Sequence, residues 1–132
     1  MFGVMDISAS GLVAQRVRMN TIAMNIANVD TVSGADGGPY KRRSVIFETG
    51  MDGRDRQERG VHVSSIRKEE VYRWEYDPSH PYANAEGYVK LPGISHLVEM
   101  VNGMEASRAY EANLAALAFS KTMMTSSLRL LA

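Results

Sequence analysis

One uninterrupted helical stretch decides the fold, and it covers residues 95–132, which read SHLVEMVNGMEASRAYEANLAALAFSKTMMTSSLRLLA. The stretch contains no proline, and its apolar and small residues recur at steps of three and four except past Lys121, which predicts a single long α-helix. One stripe consists of Met100, Gly103, Ser107, Tyr110, Leu114, Leu117, Met124, Leu128 and Leu131. A second stripe on another side consists of Ala109, Ala112, Ala116, Phe119, Met123 and Leu130. A helix with two such stripes is buried by more than one neighbour.

A second helix is predicted over residues 6–28, near the other end of the chain. Four of its apolar positions lie seven residues apart, namely Met5, Leu12, Met19 and Ile26. Asp6 or Ser8 could serve as the N-cap, and Asn28 could end the helix because asparagine tolerates the left-handed conformation. Gly11 inside this helix leaves two interpretations open, a helix of modest stability or a close approach by a neighbouring element.

The centre of the chain has the pattern of short strands. Strand-forming runs occur at residues 40–49, 60–66, 71–76 and 88–91. Residues 51–60 are hydrophilic with charges of both signs, which indicates an exposed hairpin connection. Strict alternation places Tyr72, Trp74 and Tyr76 on one strand face, which could be sheet core, an interface patch, or a platform for a sugar or a base.

These elements predict an α+β fold in which long N- and C-terminal helices form a helical coiled layer, with a small central β-rich region. The expected parts are an N-terminal helix in residues 1–30, a β-rich region with loops in 31–94, and a C-terminal helix in 95–132. A helix of about 35 residues is about 50 Å long, far longer than the central region can cover. The helices therefore keep apolar surface exposed, and exposed apolar surface of this extent indicates assembly with partners.

Composition excludes several function classes. Fifteen basic and fifteen acidic residues cancel, so the net charge favours neither nucleic acid nor an anionic membrane as a partner. The chain has no cysteine, which excludes disulfides and thiolate chemistry. No apolar run is long enough for direct membrane insertion. The N-terminal residues lack the basic region of a cleaved signal peptide, so export would use another route.

A search for catalytic chemistry gives no candidates. His62, His80 and His96 do not have the spacing of metal ligands. The basic run at residues 41–43 could contact a phosphate, or could form a solvated face that guards a strand edge. We therefore predict a protein that is not an enzyme, with no catalytic, cofactor-binding or metal-binding residues and no cofactor.

Two separated motifs resemble those of the bacterial flagellar rod and hook proteins. Residues 25–31, NIANVDT, resemble the family's N-terminal signature, in which a helix ends in Asn-aliphatic-Ala-Asn followed by Thr. Residues 99–113, EMVNGMEASRAYEAN, resemble its C-terminal helical signature. Between them, residues 36–47 and 77–93 are similar to those of proximal-rod subunits in particular. Gly93 and Gly103 depart from the family pattern without changing the order of the motifs.

The resemblance implies a structural subunit that polymerises helically into the proximal rod, the drive shaft that transmits motor torque to the hook. It implies a place in the basal body, in the rod that spans the periplasm, reached by type III export without a cleaved signal peptide. The implied partners are further copies in a helical tube, other rod proteins, and the export-gate and basal-body ring proteins. Other interpretations are a different axial subunit of the rod or hook, a helical adaptor protein, or an enzyme without a visible site.

Apolar periodicity and the family resemblance together predict which residues make assembly contacts. Asn25 and Asn28 are expected to satisfy backbone groups at the helix end and to orient the following turn. The other predicted contact residues are Leu12, Met19, Ile22, Ile26, Tyr110, Leu114, Leu117, Phe119, Met124 and Leu128.

Overall fold

A computed structural model describes residues 2–34, 37–50 and 60–131. Along the chain, one long helix comes first, four short strands follow, and a second long helix comes last. The elements are α1 (Phe2–Ala27), β1 (Arg42–Thr49), β2 (Val61–Glu69), β3 (Tyr72–Tyr76), β4 (Tyr88–Pro92) and α2 (His96–Leu131). The strands form two separate antiparallel pairs, β1 with β2 and β3 with β4. The predicted α+β class, with long terminal helices and a small central β region, is confirmed.

The two terminal helices of one chain pack against each other in antiparallel orientation. A Cβ atom added to Gly11 would lie 2.8 Å from Nδ2 of Asn113, and one added to Gly103 would lie 3.6 Å from the Ile22 side chain. Ala14 and Ala106 are buried in this contact region, since small residues let helices approach closely. Gly11 therefore marks a close approach, which is the second of the two interpretations that the sequence left open.

The longer helix extends beyond the shorter one. Two contacts show the antiparallel register of the helix pair. Asn25 lies beside Glu99, and Gly11 lies beside Asn113. This register brings the start of α1 opposite about residue 122, so about nine residues of α2, or roughly 14 Å, extend past α1. The last turns of α2 thus have no helix of the same chain beside them.

The start of α1 differs from the sequence prediction. The helix begins at Phe2, so the prediction of Asp6 or Ser8 as its N-cap is wrong. Ser8 is a buried residue inside the helix, and its hydroxyl donates to the carbonyl of Val4 at 3.2 Å. Residues 2–8 contain no proline, so the helix can propagate through Asp6 and Ser8, with one more hydrogen bond for each residue added. By contrast, α2 begins one residue after Ser95, whose hydroxyl accepts from the Val98 amide at 3.4 Å as an N-cap does.

The first strand pair lies against α1. β1 and β2 pair from Arg42 opposite Glu69 to Thr49 opposite Val61, with a bulge between Ile46 and Phe47. The Ser10 hydroxyl of α1 accepts from the Val61 amide at 3.1 Å, which joins the helix to the start of β2. The predicted hairpin connection falls mostly on residues 51–59, outside the described residues.

The second strand pair packs with one face inward. β3 and β4 pair from Tyr72 opposite Pro92 to Tyr76 opposite Tyr88. Val89 and Leu91 of β4 are buried, while Arg73 of β3 reaches Asp30 just after α1 at 2.8 Å. The face with Trp74 and Tyr76 is exposed, so the interpretation of that face as sheet core is wrong. Alternation identifies two faces, but only the packing of β4 decides which one is buried.

Candidate assembly interface

A buried carboxylate ties together the three segments that meet at one end of the helix pair. Glu99 in the first turns of α2 is only 1% exposed. Its Oε1 accepts from Nε and a terminal nitrogen of Arg42 at 2.9 and 2.7 Å. Its Oε2 accepts from Nδ2 of Asn25 at 3.1 Å. A buried charge is tolerated only when it is paired and hydrogen-bonded in this way. We call Asn25, Arg42, Glu69 and Glu99 the polar junction.

Asn25 uses its whole amide group in this junction. Besides its bond to Glu99, Nδ2 donates to the Arg43 carbonyl at 2.8 Å. Its Oδ1 accepts from the Arg43 amide at 2.9 Å and from the Tyr40 hydroxyl at 3.2 Å. The prediction that Asn25 satisfies helix-end backbone groups is therefore wrong, since its side chain binds the backbone of β1. Asn25 connects the end of α1 to β1 and to α2 at once.

Asn28, the second asparagine of the motif, does satisfy the helix end. Its Nδ2 donates to the Met24 carbonyl at 2.8 Å, and its Oδ1 accepts from the Thr31 hydroxyl at 3.1 Å. No described residue other than glycine has a positive φ, so Asn28 does not end the helix through the left-handed conformation. It ends α1 by capping a last-turn carbonyl and holding the turn to Thr31.

Hydrogen bonds shift the pKa values of Arg42 and Glu69 in this junction. Burial lowers the pKa of the Arg42 guanidinium, but hydrogen bonds to Glu99 and Glu69 outweigh burial and raise that pKa above its usual value. Hydrogen bonds from Ser44 and then from Arg42 hold the pKa of Glu69 below its usual 4.5. Of the basic run at residues 41–43, Arg42 therefore points inward to two carboxylates. This is neither of the two roles proposed from the sequence.

We expect the free energy of unfolding to fall as the pH drops below about 4.5. A carboxyl whose folded pKa lies below its unfolded value stabilises the fold above the unfolded pKa, and this contribution is lost as pH falls through the folded pKa. Glu69 is such a group. Urea unfolding between about pH 7 and about pH 3, a range that includes the usual carboxyl pKa values, measures the effect. In Glu69→Gln the slope against pH should be shallower, and an unchanged slope would contradict the assignment.

The predicted contact residues fall into three groups by exposure. Ile22 and Asn25 are buried inside the chain. The half-exposed residues are Leu12, Met19, Ile26, Asn28, Tyr110, Leu117 and Met124. The exposed ones are Leu114, Phe119 and Leu128. The structure therefore brings Ile22 and Asn25 into the intrachain helix pair and junction, and leaves the third group facing outward. The role of each residue in assembly stays a prediction.

Further exposed apolar residues were not among the predicted contacts. On α1 they are Val4, Ile7, Val13 and Met24, and on α2 they are Leu97, Val98, Met100, Val101, Met104, Met123 and Leu130. Leu130 is the extreme case at 88% exposed. Apolar residues occur around most of the circumference of α2, and this pattern could have identified these positions. Choosing only a few residues from the stripes leaves the others out. Glu99 and Arg42 were also missed, because sequence alone does not show which charges are buried.

One cleft of the described structure lies beside the polar junction. The cleft between α1, β1 and α2 has a volume of about 190 Å³, and its described lining, which includes Arg18, Arg42 and Glu99, contains no histidine. Among residues 2–34, 37–50 and 60–131, no group of three or more acidic or histidine side chains could hold a metal ion. Neither described helix has the combination of length and apolar character needed to cross a membrane.

Both terminal segments of the chain match known protein families. Residues 5–35 match the family described as flagella basal body rod protein, and residues 85–130 match the family described as flagellar basal body rod FlgEFG protein C-terminal. These matches contain the end of α1 with Asn25 and most of α2 with Glu99. Both helical signatures therefore lie in matched segments, in the predicted order.

Curated relatives cover almost the whole chain. The flagellar basal-body rod protein FlgC of Aquifex aeolicus is 44% identical over 120 residues, covering 91% of this chain and 89% of the relative. FlgC of Salmonella typhimurium is 41% identical over 132 residues, with 98% and 97% covered. FlgC of Bacillus subtilis is 37% identical over 145 residues, with 98% and 97% covered. With such identity along its length, this chain belongs to the flagellar basal-body rod protein family, in its FlgC type, and is a structural subunit of the flagellar basal body.

Proposed function

We propose that the chain polymerises helically into the proximal rod through the outward faces of α1 and α2. The observation that carries the proposal is the apolar surface along α2, where Leu114, Phe119 and Leu128 are exposed. Large apolar side chains exposed on several sides of one helix indicate surfaces that partners cover. The helix pair of one chain would then pack against the helix pairs of neighbouring chains in the tube.

We expect the three parts of the chain to take different places in the rod. Residues 1–30 and 95–132 would form the inner helical layer, and residues 31–94 would lie outside it. The polar junction supports this division, because it attaches β1 to both helices at one end of the pair. The subunit would act mechanically by transmitting torque, and we propose that it has no catalytic activity.

The partners follow from the position of a rod in the basal body. We expect contacts with further copies of this chain and with other flagellar rod proteins, which the names of the relatives support. Export-gate and basal-body ring proteins are proposed as neighbours at the ends and outside of the tube. Location in the periplasm-spanning rod is part of the same proposal.

Replacing Phe119 with aspartate tests the assembly surface. The Phe119 side chain is 74% exposed, so the monomer should keep its fold and its export. In the rod the new carboxylate would be buried without a partner, which costs several kcal/mol at each subunit contact. We expect Phe119→Asp cells to secrete the protein, to lack rods in electron micrographs of basal bodies, and to be non-motile.

Phe119→Leu is the matched control for this experiment. It keeps an apolar side chain at the same exposed position, so the contact stays apolar. These cells should assemble rods and swim. Intact rods and normal motility in Phe119→Asp cells would refute the contact surface on α2.

A further inference from the structure

The β3–β4 pair carries an exposed aromatic face that the helix packing does not use. In an antiparallel pair, residues directly opposite each other share a face. Tyr76 is opposite Tyr88, and their rings meet edge to face at 5.2 Å between centroids. Trp74, two residues before Tyr76, lies on the same face and is 60% exposed. The other face, with Val89 and Leu91, is buried, so the aromatic rings are turned towards solvent.

A recess lies beside these rings. Its volume is about 290 Å³, and its lining consists of Trp74, Asn84, Glu86 and Tyr88. Oδ1 of Asn84 accepts from the backbone amides of Glu86 and Tyr88 at 3.0 and 2.8 Å. These two bonds fix the orientation of the side-chain amide and leave its Nδ2 as an oriented donor.

The recess also offers an acceptor beside this donor. Within the described part of the chain, neither Nδ2 of Asn84 nor the carboxylate of Glu86 has a hydrogen bond or an ion pair. A fixed amide donor and a carboxylate acceptor therefore stand next to two aromatic faces. Hydroxyl groups both donate and accept, so a ligand rich in hydroxyls matches this pair better than an aliphatic side chain does.

The aromatic face differs in chemistry from the exposed surface of α2. Between Tyr72 and Pro92 the large exposed apolar side chains are Trp74, Tyr76, Tyr82 and Tyr88, all of them aromatic. On α2 every large exposed apolar side chain among the described residues is aliphatic except Phe119. Tyrosine and tryptophan combine an apolar face with a hydrogen-bonding edge, which suits a ligand that has both kinds of surface.

We propose that this recess binds a linear β-linked glycan. The C–H face of a pyranose ring would stack on Trp74 and Tyr88, while its hydroxyls accept from Nδ2 of Asn84 and donate to Glu86. The flat, extended shape of a β-linked chain would follow Trp74 and Tyr76 along β3, with Tyr88 lying across the strand pair from Tyr76. This inference is independent of rod assembly, since it uses no residue of either helix.

Trp74 is the only tryptophan of the chain, so its fluorescence reports on the proposed site alone. The full-length protein would be titrated with cellohexaose and with chitohexaose, and with the α-linked maltohexaose as comparison. We expect a saturable change of Trp74 emission with at least one β-linked hexamer. A response to chitohexaose alone assigns the site to N-acetylated glycans, and equal responses to both assign it to the shared β-linked backbone.

Variants separate a built site from a general effect of sugar on the protein. Tyr88→Ala should weaken binding about 2- to 10-fold through the loss of one stacking face, and Glu86→Gln should also weaken it. Phe119→Ala removes an exposed ring far along the chain on α2 and should leave binding unchanged. Calorimetry on Trp74→Ala, which lacks the fluorescent reporter, should show no binding.

Three results would overturn the proposal. The first is the absence of any emission change up to the solubility limit of both β-linked hexamers. The second is an equal response to maltohexaose. The third is a change of Trp74 emission that follows the protein concentration instead of the glycan concentration, which would assign the aromatic face to a contact between copies.

Discussion

Replacing Glu99 with alanine is expected to lower the free energy of unfolding by about 3 kcal/mol, because it breaks a buried ion pair and leaves the Arg42 guanidinium, which is 25% exposed, with one carboxylate instead of two. Arg42 makes two of its hydrogen bonds to Oε1 of Glu99, at 2.9 and 2.7 Å. Without that carboxylate the guanidinium keeps only Glu69, at 2.9 Å. Asn25 loses an acceptor in the same substitution. Urea unfolding followed by circular dichroism measures the loss.

The same helix provides a matched control for this prediction. Glu105 also forms an ion pair with an arginine, Arg18 of α1, at 3.1 Å, but its side chain is 68% exposed. Exposed pairs contribute little because water screens and replaces them. Glu105→Ala should therefore change the free energy of unfolding by no more than about 1 kcal/mol. Equal losses in Glu99→Ala and Glu105→Ala would show that burial does not set the strength of the Arg42–Glu99 pair.

Asn25→Ala is expected to cost about 2–4 kcal/mol, from more than one unsatisfied buried group at about 1–3 kcal/mol each. The substitution removes the partners of the Arg43 amide and carbonyl and one donor to Glu99. Asn25 is itself almost completely buried, so water cannot readily replace these bonds. Thermal and urea unfolding of the purified chain measure the cost.

Asn28→Ala is the control from the same four-residue motif. Asn28 is half-exposed, and its two bonds stay local, to Met24 and Thr31. Water can take over part of these bonds, so the expected cost is about 0.5–1.5 kcal/mol. A larger loss for Asn28→Ala than for Asn25→Ala would mean that the helix end, and not the junction, gives this motif its importance.

These two predictions concern how the helices and the β region are held together in one subunit. Asn25, Arg42 and Glu99 are far apart in sequence, and each sits at the end or start of a different element. Each bond between them depends on position and angle, unlike an apolar contact. The junction therefore fixes the orientation of β1 relative to the helix pair, which a subunit under mechanical load requires.

Local patterns predicted the elements well where a single period was enough. The absence of proline and the spacing of apolar residues gave α2 within one residue of its start at His96. Alternation and β-branched residues gave all four strands. The prediction of the start of α1 failed because a capping residue does not stop a helix where the residues before it can also be helical. The interpretation of the aromatic face of β3 as sheet core was wrong because alternation does not show which side of a strand the rest of the chain covers.

The candidate contact surface could be predicted only in part, for a related reason. Periodicity selected Leu114, Phe119 and Leu128, which are exposed, and equally Ile22, which packs on Gly103 inside the chain. An apolar residue on a helix has the same sequence signature whether it faces its own chain or a partner. Only the antiparallel register of α1 and α2 separates the two cases.

Local spacing and the absence of helix breakers are enough to specify long apolar helices at both ends of this protein and a small β region between them. Which polar side chains are structural depends on how these elements pack in space. Asn25, Arg42 and Glu99 have no local signature as a group, since hydrogen bonds and charge pairs depend on distances in space between residues that are remote along the chain.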